Sequence, residues 1–134
     1  MRLLIDTNVF LEVILEQEKA EEARDLLAKT EEHELFISDY SLHSIGLLLF
    51  RRKQHGVFGQ FVKDMMLNAG MIMASLFAED MEAVINAAQR FSLDFDDAYQ
   101  YATAEKYRLT IVSFDSDFDR TERGRRTPAE VLGD

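Results

Sequence analysis

The stretch Arg2-Leu3-Leu4-Ile5-Asp6-Thr7-Asn8 carries two signals back to back. Leu3, Leu4 and Ile5 form a short apolar run, which reads as a buried strand. The run ends abruptly at an acid, and an Asp followed closely by an Asn is good helix-start chemistry. Val9–Gln17 then carries Val9, Leu11, Val13, Ile14 and Leu15, too apolar for a solvated helix and suited to one lying on a sheet. The unit is a strand, a polar turn and a sheet-covering helix.

The same alternation continues along the chain. Ala20, Ala23, Leu26 and Leu27 recur at helical spacing between charged residues, and Glu34–Ile37 reads as the next strand. Ser38-Asp39 caps a helix reaching about Arg52, with Leu42, Ile45, Leu48 and Leu49 as its apolar stripe. Phe58, Phe61, Val62, Met65 and Met66 mark another helix, stopped at Gly70, before a strand at Met71–Ala74. Met81, Val84, Ile85 and Ala88 predict one further helix, and Phe95–Tyr107 another. Thr110–Phe114 reads as the last strand, followed by the acidic loop Asp115–Asp119. Strands separated by helices require crossover connections. The expected fold class is therefore α/β: a three-layer α/β/α sandwich around a central, mostly parallel sheet of four to five strands. Residues 1–134 read as one domain.

Composition narrows the function classes. The 134 residues contain no cysteine, which excludes disulfides and thiolate zinc sites. No run approaches the length of a membrane helix, and three apolar residues before Asp6 are too few for a signal-peptide core, so cytosol is the expected compartment. The formal net charge of −10 counts against binding nucleic acid by bulk electrostatics. It counts less against a metal enzyme, because clustered carboxylates are what hard cations bind.

Ligands of open parallel sheets sit beyond the carboxyl ends of the strands. Asp6 follows the first strand, Asp115 follows the last, and Asp97 lies at the start of a helix. Three acids from distant parts of the chain thus converge on one rim. Each alone is more often an N-cap than a ligand. Together they repel one another and need a cation to coexist.

These segments resemble the PIN domain family, in the style of bacterial VapC-type toxins. The resemblance rests on Ile5-Asp6-Thr7-Asn8-Val9, on Asp97-Ala98-Tyr99 before Ala102-Thr103-Ala104, and on Val112-Ser113-Phe114-Asp115-Ser116-Asp117-Phe118. The ending Thr127-Pro128-Ala129-Glu130-Val131-Leu132 is also similar to that of many such proteins. The resemblance spans essentially the whole chain. It implies a magnesium- or manganese-dependent ribonuclease and, with it, the toxin half of a toxin–antitoxin pair acting as a homodimer. It further implies Asp6, Asp97 and Asp115 as catalytic metal ligands, Asp117 as an outer or alternative ligand, and Thr7 and Ser113 as hydroxyls orienting a ligand or a phosphate.

One departure stands out. The family usually carries a Glu about six residues past the serine that ends its second strand, where this chain has Ser44. Serine is a poor ligand for a hard cation. His43 is adjacent and is the alternative occupant if the alignment slips by one, although a lone His on a helix is more often structural or at the surface. Asp39 and Asp96 are nearby acids that could partly compensate, although Asp39 is more often simply a residue near the helix cap. Among the basic residues, Arg120, Arg123, Arg125 and Arg126 follow the acidic loop, where Arg120 and Arg123 could meet a phosphate backbone; the alternative is a solvated loop. The group Arg51, Arg52, Lys53 and His55 lies elsewhere. Met65, Met66, Met71 and Met73 suit core or subunit packing. A PIN-like domain that binds RNA or a protein without cleaving it is the competing reading. A receiver-like domain is the third, weakened because Asp6 has no acidic neighbour.

Overall fold

The computed structural model describes residues 1–133. Four strands, β1 (Arg2–Ile5), β2 (Glu34–Ser38), β3 (Ile72–Ala74) and β4 (Thr110–Val112), pair in the order β3-β2-β1-β4. All three pairings are parallel, so the sheet has the lower of the two expected strand counts and no antiparallel member among the described residues. The helices are α1 (Thr7–Ile14), α2 (Ala20–Leu27), α3 (Asp39–Arg51), α4 (His55–Phe61), α5 (Met81–Phe91), α6 (Phe95–Tyr107) and α7 (Pro128–Leu132).

Side chains alternate across the sheet, as strand geometry demands. Leu3 and Ile5 face one core with Phe10, Leu26, Ile45, Leu49 and Val131, which places α1, α2, α3 and α7 on that side. Leu4, Phe36 and Ile111 face the other core with Val84, Ala98 and Ala102 of α5 and α6. Covering both faces is what makes the strands continuously apolar. The run Asp97–Ala104 of α6 is buried throughout, and its alanines let the helix lie close to the sheet.

Two details shape the rim. The chain builds outward from β1 to β2 to β3, then returns to the other side of β1 for β4, so the strand order reverses between β1 and β4. That reversal point is where parallel sheets bind ligands. After β4 the chain forms a 3-10 helix, Ser116–Arg120, whose fully buried Phe118 anchors it in the second core. The expected acidic loop is thus a short pinned helix. The chain then returns to pass beside the free edge of β4 in the same direction, where the Arg126 carbonyl accepts the Ser113 amide (3.0 Å) and the Arg126 amide donates to the Ile111 carbonyl (2.8 Å).

Elsewhere, the helix expected to reach Gly70 changes winding at Val62–Asn68 into a π-helix, and Gly70 takes a φ of +75° at its exit. Met71 is buried and Met65 and Met66 pack half-buried on the first core, whereas Met73 is exposed. No described helix is long and apolar enough to cross a membrane.

Candidate active site

Asp6 is the N-cap of α1, accepting the Thr7 amide at 2.9 Å. It is also heavily bonded by side chains. Gln100 Nε2 donates to Oδ1 at 2.9 Å and the Ser113 hydroxyl donates to Oδ2 at 2.7 Å. Burial raises its pKa above the ordinary carboxylate value, while these three donors pull against the rise. Ser113 is itself a hub: wholly buried, it accepts from Asn8 Nδ2 (3.2 Å) and from the Asp115 amide (2.9 Å). Asn8 Oδ1 accepts the Phe114 amide (3.2 Å), tying the end of β4 to the start of α1.

Asp97, Asp115 and Asp117 are arranged differently. Each offers a carboxylate oxygen within 4.8 Å of the other two. Asp97 is buried on the first turn of α6, and its pKa is raised to about 7, first by burial and then by the charges of Asp115 and Asp6. Asp115 caps the 3-10 helix by accepting the Asp117 amide at 2.8 Å. Carboxylates this close hold one proton or one cation between them. Three hard oxygen donors converging at a strand-order reversal fit a divalent cation of the magnesium or manganese kind.

A pocket of about 260 Å³ opens beside this triplet, lined by Asp6, Thr7, Asn8, Leu11, Tyr40, Ser44, Asp96, Asp97 and Asp115. Asp6 is therefore part of the wall, turned back toward its donors, and Asp117 takes the third place in the compact triplet. Ser44 lines the acid pocket. His43 does not; it is exposed and faces a neighbouring depression. Tyr40 lies between the two and interacts with Ser44 and Asp96; burial raises its pKa.

The hydroxyls and arginines have specific partners. Thr7, itself in the pocket lining, donates to Ser41 Oγ (2.8 Å), which also accepts from Gln100 Nε2 (2.8 Å), so Thr7 ties the wall to α3. Arg120 donates to the carbonyls of Phe91 (3.2 Å) and Ser92 (2.7 Å) and to Asp117 (3.1 Å), placing it at the triplet's edge. Arg123 reaches the Leu109 carbonyl (3.0 Å), just before the amino end of β4 and thus away from the acids. Arg125 pairs with Asp119 and the Ser113 carbonyl, and Arg126 with the Glu130 carbonyl.

Gln100, Asn8 and Ser41 escape a reading of the sequence by charge alone. Gln100 had a signal: it stands three residues after Asp97, on the same face of α6. Among the described residues its Oε1 is buried without a partner, and its amide donates to Asp6 and Ser41.

The PIN domain family model matches residues 3–124. The chain belongs to the PIN domain family. Among solved structures, this PIN domain is 21% identical to a chain of a toxin–antitoxin complex from Klebsiella pneumoniae, covering 94% of this chain and 97% of that one (TM-score 0.73). It is 14% identical to a chain of VapBC2 from Rickettsia felis, a structure bound to a DNA fragment from their promoter, with 94% and 97% covered (TM-score 0.74). It is 20% identical to VapC20 from Mycobacterium tuberculosis, described as a sarcin–ricin loop cleaving toxin, with 87% and 92% covered (TM-score 0.72). At these identities the likeness speaks to the fold. No curated protein matches the sequence.

Proposed function

We propose that this PIN domain is a magnesium- or manganese-dependent endoribonuclease, acting as the toxin of a toxin–antitoxin pair. The observation that carries the reading is the Asp97, Asp115 and Asp117 triplet, packed within 4.8 Å at the point where the strand order reverses. Asp97, Asp115 and Asp117 would hold the cation, with Asp6 beside them in the pocket wall. A bound divalent cation lowers the pKa of water and neutralises charge developing on a phosphate. The chain's own part is to hold its acids in place and aimed. Ser113 and Gln100 fix both oxygens of Asp6, the pinned Phe118 sets Asp115 and Asp117, and Arg120 screens Asp117 on its outer side. The toxin assignment draws on the toxin–antitoxin and VapC proteins that share the fold, and implies an antitoxin partner. Exposed Leu47, Phe50 and Leu67 offer apolar surface for a homodimer.

A second reading, a PIN domain that binds RNA or a protein without cutting, is favoured by Ser44. Its side chain lines the acid pocket where family members usually place a carboxylate. One experiment separates the two: incubation of a long unstructured RNA with the purified protein and manganese, beside Asp97→Asn. The enzyme reading expects cleavage by wild type, abolished by chelator and reduced at least a hundredfold by Asp97→Asn. Binding without cleavage at any manganese concentration supports the second. Light scattering that finds only a 15.5 kDa species at high micromolar concentration removes the dimer.

A further inference from the structure

A second depression adjoins the acid pocket and shares one side chain with it. It measures about 210 Å³ and is lined by Asp39, Tyr40, His43 and Tyr99. Its floor is aromatic. Tyr40 and Tyr99 lie 5.8 Å apart, and the ring of Phe95 sits 5.8 Å from Tyr99 and 6.3 Å from Tyr40. Tyr99 is buried and donates its hydroxyl to Asp39 Oδ1 at 2.8 Å. Phe95, by contrast, is 57% exposed, an apolar ring held at the lip of a charged cleft. Asp39 Oδ1 also takes the Tyr40 amide at 2.9 Å, and among the described residues no donor reaches Oδ2. That leaves one carboxylate oxygen free at the edge of an aromatic floor.

We infer that this depression is a nucleobase pocket, receiving an unpaired base next to the phosphate held at the acid pocket and preferring bases that carry an exocyclic amine. The inference rests on the nucleic-acid reading of the acid pocket and names the substrate feature it reads. Flat aromatic surfaces beside a backbone site stack any exposed base, and a base still paired in a duplex cannot reach them. Asp39 Oδ2 adds selectivity where it meets the 4-substituent of a pyrimidine, because there a carboxylate accepts from the amine of cytosine but faces the lone pairs of the uracil carbonyl. Electrostatics make such contacts necessary. With a net charge of −10 and the arginines near the acids engaged by carbonyls and carboxylates, phosphate attraction alone is weak here. Tyr40, lining both cavities, sets the phosphate and the base one side chain apart.

The chain contains no tryptophan, so Phe95→Trp installs a single reporter at the lip. Its quenching by tetracytidylate and tetrauridylate, in calcium, reads binding directly. The expected result is a Kd for tetracytidylate about tenfold or more below that for tetrauridylate. Asp39→Asn keeps an acceptor for Tyr99 while offering an amide in place of the free oxygen, so the preference should vanish or invert. Equal affinities for the two tetranucleotides, or a preference unchanged by Asp39→Asn, overturn the inference. If Asp39→Asn does not fold, the ratio measured with Asp39 intact decides. Manganese-dependent cleavage by wild type is scored in parallel. Cleavage without the cytidine preference removes the base pocket and leaves the ribonuclease standing; the preference without cleavage keeps the pocket and removes the enzyme.

Discussion

Asp6 and Asp97 are both buried acids on the same rim, yet their surroundings are opposite. Asp6 accepts three hydrogen bonds, from the Thr7 amide, Gln100 and Ser113. Asp97 faces Asp115 and Asp117, and its neighbours raise its pKa rather than lower it. One half of the site is paired with protein donors at folding. Among the described residues the other half has only the Asp117 amide and the exposed Arg120 against three carboxylates, and a proton or a cation relieves the remaining negative charge. On the proposed reading, stability resides in the first half and cation affinity in the second.

The largest expected effect comes from attacking the bonded half. Ser113→Ala strips Asp6 Oδ2 of its donor and leaves Asn8 and the Asp115 amide without their shared acceptor. A loss of about 2–4 kcal/mol in urea unfolding is expected. If Ser113→Ala costs no more than a surface change, the bonded half is not what holds the rim.

Next comes Asp97→Asn, which should do the reverse. Its carboxyl has an ordinary value of 3.8 and a folded value of about 7. Between those values the folded chain holds a proton that the unfolded chain has released. Stability of the metal-free protein therefore falls as pH rises from about 4 to about 7, and Asp6, raised by burial, pulls in the same direction. In chelator at pH 8, Asp97→Asn should be more stable than wild type by about 1–3 kcal/mol. At pH 4 the two should melt together, and an advantage that is constant with pH would contradict the charge account.

Ser44→Glu sharpens the comparison by adding a fourth carboxylate to the unbonded half. Without metal it should lower stability by about 1 kcal/mol; with manganese it should show a larger upward shift in Tm than wild type. His43→Ala should change neither, since His43 faces the adjoining depression. Smallest of all, Arg120→Gln removes an exposed partner of Asp117 and should alter stability by less than about 1 kcal/mol.

The same contrast explains what could be read from the chain beforehand. The strand at Arg2–Ile5, the acids at strand ends and the parallel α/β architecture follow from apolar runs stopped by Asp, which are local signals. The triplet's membership came only through the family resemblance, which put Asp117 as an outer or alternative ligand, and not from any local signal. Asp117 enters it because Phe118 pins a 3-10 helix into the core, and no periodicity announces a single buried Phe in an acidic stretch. The hydrogen-bond network around Asp6 needs Gln100 and Ser113 brought together from α6 and β4, a tertiary event. The terminal helix α7 did have a local signature, Thr127-Pro128-Ala129-Glu130. There the Thr127 hydroxyl accepts the Glu130 amide (3.2 Å) and Glu130 accepts the Thr127 amide (3.0 Å). The winding change at Val62–Asn68 had none, because its side-chain pattern fits an ordinary helix equally well.

The most direct test is calorimetric titration of manganese into the metal-free protein at pH 8, for wild type and Asp97→Asn. The account predicts one site per chain in wild type, and a loss of at least tenfold in affinity in Asp97→Asn although that variant is the more stable without metal. Equal manganese affinity in the two proteins would contradict it.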